Sequence, residues 1–402
     1  METKFSFTGN LVFPKEDSVR PFVKSGSYTD SKTKKEIESL SLNVGIKEGD
    51  ANMAFITAFG SKTEQDIFTF NKDNEKITVA WKDRLDEDVV KNIASYRLYT
   101  VDLADPYQKQ DLRAALRSGD YSAVEERYGV SNKEAAEELL DALQSERKQF
   151  ITSYDFIKYL QENLPNYKGK VTATGRMKKR FYNDRYSNDF EVSAVYATVD
   201  ETKSKLVVNM DLFYNKDCID MSDFESKKRI YVNGYVNQYV NSTEKNKYMP
   251  HQCVLDASKY DMNNDRHKSL FDYKKSYVAI DNTDFVHMNW EIRFINGADT
   301  VEFTEDMLTP AQKQQVELGI KALRDFKPRG NIYGERITEY RLADPKLIGE
   351  FENGLVDTEL TEEEFLAQVF VPNKTVNLEV EVRKAEEKTS ASLDDIDDDD
   401  LF

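Results

Sequence analysis

The sequence predicts an α+β protein made of two small β-barrel units joined by helices. Three observations carry that expectation. The stretches from Lys4 to about Leu103 and from Lys168 to about Thr304 read as strands. The block between them, 108–164, reads as helix. A glycine also recurs at one offset in three strands: "KFSFTG" from Lys4, "KVTATG" from Lys170 and "RIYVNG" from Arg229. A glycine inside a strand permits the bulge or sharp coil that a closed barrel needs at its corners.

Taken in order, "KFSFTGNLVF" alternates Phe5 and Phe7 with polar neighbours, and "SLSLNVGIK" puts Leu40, Leu42, Val44 and Ile46 on one face, so a half-buried sheet is expected over 1–104. A helical linker is expected over 105–166, with a Ser131-x-x-Glu134 capping box and a stop at Pro165. The second β unit is assigned to 167–305. Over 306–384 come helices and strands packed on it: Thr309-Pro310 opens a helix with Val316, Ile320 and Leu323 on one side, ended by Pro328, and Thr361-x-x-Glu364 caps a short last one. Residues 385–402 form an acidic tail, expected to be disordered because like charges repel.

Composition excludes several classes of function. Of 402 residues 39% are apolar, with 22 Tyr and 23 Phe, enough for ample cores. No basic-then-apolar leader follows Met1 and no apolar run is long enough to span a bilayer, so a cytoplasmic protein without membrane contact is expected. Cys218 and Cys253 lie far apart with no C-x-x-C between them, which suits a reducing compartment and disfavours a thiolate metal site. No phosphate-binding loop, no G-x-S-x-G and no H-E-x-x-H occurs, and His251, His267 and His287 never share a metal-ligand spacing. The segment from Asp261 starts like a calcium loop but has Arg266 where glycine is required. No enzyme activity, cofactor or metal is therefore expected. The alternatives are a magnesium-dependent nuclease using Asp217 and Asp220, a strand-annealing recombinase, and an acidic scaffold or DNA mimic.

The net charge of −17 is unevenly distributed. Between 168 and 185, Lys168, Lys170, Arg176, Lys178, Lys179, Arg180 and Arg185 face one acid, Asp184. A basic stripe on an acidic body marks a confined binding site. Read as a strand, this segment lines up Arg176, Lys178, Arg180 and Tyr182 on one face, with Phe181, Arg185 and Tyr186 close by. Cations in a row suit phosphates and adjacent rings suit bases. In "RIYVNGYVNQYVN", Ile230, Val232, Gly234, Val236 and Val240 point one way. Tyr231, Tyr235 and Tyr239 point the other, interleaved with Asn233, Asn237 and Asn241. Asparagine is depleted in strands, so three in phase with tyrosines suggest a stacking platform with base- or phosphate-binding amides. A second contact region is expected in a mobile loop carrying Arg20, Phe22, Lys24, Tyr28, Lys32, Lys34 and Lys35.

The last ten residues hold six aspartates and close on Leu401 and Phe402. With a barrel and a basic aromatic surface, this ending resembles single-stranded DNA-binding proteins of bacteria and their phages. The run Asp397, Asp398, Asp399, Asp400 and the terminal Phe402 match that family's tail, while Leu401 stands where proline is usual. The match covers at most about a tenth of the chain. The resemblance implies two OB-like β-barrel domains and sequence-independent binding of single-stranded DNA. It also implies recruitment of replication or recombination proteins through the tail. A large phage-type protein is the nearer comparison by length.

Overall fold

The computed structural model describes residues 3–30, 33–241, 244–258, 260–301, 303–328, 332–346 and 354–372. The tail residues Asp397, Asp398, Asp399, Asp400, Leu401 and Phe402 lie outside them.

The first strands are β1 (Lys4–Val12), β2 (Val23–Thr29), β3 (Glu36–Glu48) and β4 (Asn52–Ser61), followed by a hairpin of β5 (Ile67–Phe70) and β6 (Lys76–Val79). A long excursion follows, containing α1 (Glu87–Asn92), β7 (Tyr99–Asp102), α2 (Pro106–Ser118), α3 (Ser122–Tyr128), α4 (Lys133–Ser145), β8 (Lys148–Phe150) and α5 (Ser153–Asn163). Next come β9 (Lys170–Tyr182), β10 (Arg185–Thr198), β11 (Lys205–Tyr214), β12 (Ile219–Asp220), α6 (Phe224–Lys227), β13 (Arg229–Asn241) and β14 (Lys245–Asp256). The chain continues through α7 (Asp265–Val278), β15 (Val286–Val301), α8 (Pro310–Glu317), β16 (Ile332–Lys346), β17 (Val356–Asp357) and α9 (Glu362–Ala367). The chain is thus a mixed α/β protein dominated by strands.

Among the described residues, all strands except β5 and β6 belong to one hydrogen-bonded sheet, within which the pairings close two rings of five. In the first, β1 pairs β3, β3 pairs β4, β4 runs parallel to β10, β10 pairs β9, and β9 returns to β1. In the second, β11 pairs β13, β13 pairs β14, β14 runs parallel to β16, β16 pairs β15, and β15 returns to β11. Each ring has the same order, with its one parallel contact between its third and fifth strands. Antiparallel pairing of β1 with β11 fuses the rings.

Two of the recurring glycines sit where a strand changes partner. β1 pairs β9 up to Gly9 and β3 from Asn10 onward, and a Cβ on Gly9 would lie 2.2 Å from the Lys47 carbonyl oxygen. Gly234 adjoins the point where β13 meets β11, and its Cβ would lie 2.6 Å from the Phe213 oxygen. Neither corner admits a side chain.

The expected division of the chain differs from the observed one. β9 and β10, assigned by sequence to the second unit, are the fourth and fifth strands of the first ring. The helical stretch is therefore an insertion within that ring. Strand patterning alone does not identify a partner more than a hundred residues away. The excursion carries its own small core of Leu112, Ala115, Val124, Ala136, Leu140 and Leu143, while α5 buries Phe156, Ile157 and Leu160 in the main core.

Helix ends follow local chemistry. Thr309 and Thr361 form capping boxes with Gln312 and Glu364. α4 is instead capped by Asn132, whose side chain accepts from the Ala135 amide at 2.9 Å, one residue after the expected Ser131; asparagine and serine cap about equally well. α8 stops at Glu317, short of Ile320, because Gly319 takes a left-handed conformation with φ of 67°.

One core runs through both rings. Phe7 of the first stacks on Phe294 of the second at 6.2 Å and Phe190 meets it edge-on at 5.0 Å, and Trp290, Tyr214, Phe5 and Phe7 are fully enclosed. Polar links reinforce the junction: Glu48 pairs with Arg293, the Asn296 amide donates to Asn52 Oδ1 at 2.7 Å, and Asn296 Nδ2 donates to the Met53 carbonyl at 2.9 Å.

Candidate nucleic-acid interface

β9 and β10 form a long hairpin closed by two residues, Asn183 and Asp184, both with positive φ (49° and 57°). Asparagine and aspartate tolerate that conformation, and the tight turn matches the strands' twist. Along β9, Val171, Ala173, Met177 and Lys179 face inward, while Arg176, Lys178, Arg180 and Tyr182 face outward. Tyr182 and Arg185, flanking the turn, are exposed.

The cations are not unopposed. Register places Asp189 across from Lys178 and Glu191 across from Arg176. Glu191 lies 3.5 Å from Arg176, 3.7 Å from Lys178 and 3.3 Å from Arg180, and Asp189 lies 2.5 Å from Arg180. Two carboxylates thus offset much of the positive charge of these three cations. Such exposed pairs cost little to break, about 0–1 kcal/mol each, so a phosphate can displace a carboxylate.

Lys179 departs from the sequence expectation. It is 6% exposed, on the opposite face from its basic neighbours, with Nζ 3.0 Å from His251 Nδ1 and 5.5 Å from the Tyr186 ring centre. Burial pushes its ammonium down to about 8 and holds the His251 imidazole well below its ordinary value, and the adjacent Lys179 charge lowers the imidazole further. It is a junction residue and not a surface contact. Its backbone is gripped by Gln238 of β13: the Lys179 amide donates to Oε1 at 2.6 Å, and Nε2 donates to the Lys179 carbonyl at 2.8 Å. The first ring's hairpin is thereby pinned to the second ring's strand. Tyr186 is half-buried, 4.9 Å from Phe181.

On β13 the alternation is as expected: Ile230, Val232, Gly234 and Val236 are buried, and the tyrosines lie on the other face. That face is not uniformly open. Phe365 of α9 covers its middle, so Tyr235 packs at 5.6 Å from Phe365 and 5.7 Å from Phe285. Tyr231 is half-buried, its hydroxyl 3.4 Å from Asp223 Oδ2. Asn233 is exposed and accepts from Gln252 Nε2 at 2.8 Å, Asn237 is half-buried opposite Tyr248, and Tyr239 is 58% exposed. The platform is open at Asn233 and Tyr239 and built into the core at Tyr235.

The second expected contact region is partly ordered as strand. Val23–Thr29 pairs with β3, so Lys24 and Tyr28 sit on an edge strand and not in a loop. Almost every residue of that strand is exposed, which leaves no apolar alternation to read. Arg20, Lys34 and Lys35 are exposed around it, and Phe22 packs edge-on against Phe13 at 4.8 Å. The Tyr28 ring stands 6.5 Å from that of Phe59, which is 57% exposed, and its hydroxyl donates to Ser61 Oγ at 3.2 Å. Phe59 is a candidate stacking residue absent from the sequence reading. The alternation of Phe55, Thr57 and Phe59 against Ala54, Ile56 and Ala58 in β4 was its available signal.

Among the described residues no group of three His, Cys, Asp or Glu is placed to hold a metal ion, and no helix is long and apolar enough to cross a membrane. Asp220 accepts from the Ser222 amide at 2.9 Å, and Asp217 is exposed.

No protein-family model matches the chain, and no curated protein matches it. Among solved structures, it is similar to the crystal structure of a deletion mutant of the single-stranded DNA-binding protein from Thermus aquaticus. That similarity is at 8% identity, covers 74% of this chain and 87% of that one, and has a TM-score of 0.26. A likeness of that size transfers neither fold nor function.

Proposed function

We propose that this chain binds single-stranded DNA without sequence preference, and that its two rings are OB-like barrels. The observation that carries the reading is where the candidate residues fall on those rings. A five-stranded barrel of this type binds oligonucleotides on its second and third strands and on its first-to-second and fourth-to-fifth connections. The basic hairpin turn joins the fourth and fifth strands of the first ring, and the Arg20–Lys35 segment joins its first and second. Tyr28 lies on the strand that flanks its second strand, Phe59 lies on its third, and Asn233 and Tyr239 lie on the second strand of the other ring.

In this reading Arg176, Lys178, Arg180 and Arg185 neutralise phosphates, while Tyr182, Tyr239, Tyr28 and Phe59 stack on bases of any identity. The acidic tail competes with DNA at low salt and recruits replication or recombination proteins in the cytoplasm, its aspartates steering and Phe402 anchoring. No reaction is assigned. The test is a mobility shift with single- and double-stranded oligonucleotides across a salt series in magnesium. Preferential retention of single strands, weakening by about 0.7 log units per neutralised phosphate and per log unit of salt, is expected. Equal affinity for duplex refutes the reading, strand cleavage favours the nuclease, and indifference to both favours the acidic scaffold.

A further inference from the structure

Outside both rings, a cleft of about 520 Å³ lies between the β5–β6 hairpin, α1 and the start of β8. Its floor includes Val90 and Ile93, and its wall carries Lys72, Lys91 and Arg147 with no carboxylate among the lining residues. In a chain of 73 acids and 56 bases this is a marked local reversal. Lys91 is shared with Glu87 at 3.4 Å and Asp88 at 4.0 Å, whereas Lys72 and Arg147 have no carboxylate within ion-pair distance among the described residues. Tyr96 stands 64% exposed at the rim, held by its hydroxyl donating to Asn74 Oδ1 at 2.9 Å. The side chain of Arg97 lies 5.4 Å from the same ring.

Cations at a mouth with an apolar floor and a fixed aromatic face match an anion that carries a flat ring. We propose that this cleft binds a nucleotide unit, its phosphate held by Lys72, Lys91 and Arg147 and its base laid on Tyr96. Resting on the single-strand reading, the inference makes the cleft a separate stop for a strand longer than the ring faces.

The experiment compares Lys72→Gln with Arg147→Gln against a control pair of equal charge change on the helical insertion, Arg117→Gln with Lys133→Gln. All four positions are exposed, so thermal melts should match the unaltered chain. For an oligothymidylate of about 60 nucleotides, loss of that one phosphate contact should flatten the logarithmic salt slope by about 0.7 and weaken binding about fivefold at low salt. The control pair should leave the slope unchanged. Identical behaviour of the two pairs overturns the proposal. A second arm titrates thymidine monophosphate: capture by the unaltered chain but not by the cleft variant, with strands refused, keeps the cleft as a nucleotide site and overturns the single-strand reading. Refusal of both ligands overturns both.

Discussion

Replacing Lys179 by methionine tests stability apart from the proposed DNA binding at the one basic-stripe residue that lies inside. The ammonium is pushed from 10.5 to about 8 chiefly by burial, a gap equivalent to about 3 kcal/mol of penalty at neutral pH, at about 1.4 kcal/mol per pH unit. Methionine removes the charge but also the donor to His251 Nδ1, at a cost of about 1–2 kcal/mol. Lys179→Met should therefore stabilise the protein by about 1–2 kcal/mol at pH 7. Because the folded-state value is the lower one, below pH 8 both states hold the proton and the full penalty applies. Between about 8 and 10.5 the folded state has shed a proton that the unfolded chain keeps, so wild-type stability rises with pH. The variant's advantage should thus shrink by about 2–3 kcal/mol from pH 7 to pH 10, with other titrations cancelling in the difference. Urea unfolding of both proteins at the two pH values measures it. An advantage that does not change with pH refutes the buried-charge argument, and loss of single-strand affinity in a folded Lys179→Met returns the residue to the interface.

Three further outcomes are expected. Glu191→Gln removes the carboxylate shared by Arg176, Lys178 and Arg180 while Arg180 keeps Asp189, so single-strand affinity should rise about twofold to fivefold at low salt and the salt slope should steepen, as fluorescence titration would report. Tyr239→Ala should cost about 1–3 kcal/mol of binding without moving the melting temperature, whereas Tyr235→Ala, wedged against Phe285 and Phe365, should lower the melting temperature and leave binding by the folded protein nearly unchanged. Deleting residues 393–402 should tighten DNA binding modestly at low salt and abolish partner capture from a replicating-cell extract, while Phe402→Ala should impair capture alone.

Period-two patterning was legible wherever one strand face is buried. It correctly grouped Arg176, Lys178, Arg180 and Tyr182, and applied strictly it also puts Lys179 with Val171, Ala173 and Met177. Clustering of charge along the sequence obscured that, since neighbours in a strand face opposite ways. The pairing of Glu191 with three cations depends on hairpin register, and the covering of Tyr235 by Phe365 depends on a helix more than a hundred residues later. Neither is encoded locally. The corner glycines were visible, but their partners, the Lys47 and Phe213 carbonyls, were not.

The insertion within the first ring also sets an order of events during synthesis. Strands β1, β3 and β4 are complete by Ser61, yet their closing partners begin only at Lys170, and β1 gains its other neighbour at Lys205. At about 5–20 residues per second a ribosome needs roughly 5–20 s to cross that interval. Throughout it, the edges of β1 and β4 and the rings of Phe5 and Phe7 lack their native cover. The α2–α4 part of the insertion, with its own small core, can form meanwhile from contacts near in sequence. A nascent chain or fragment ending near residue 104 therefore displays an open sheet edge suited to pairing with another copy of itself, whereas one extending past Tyr214 contains every strand the first ring needs.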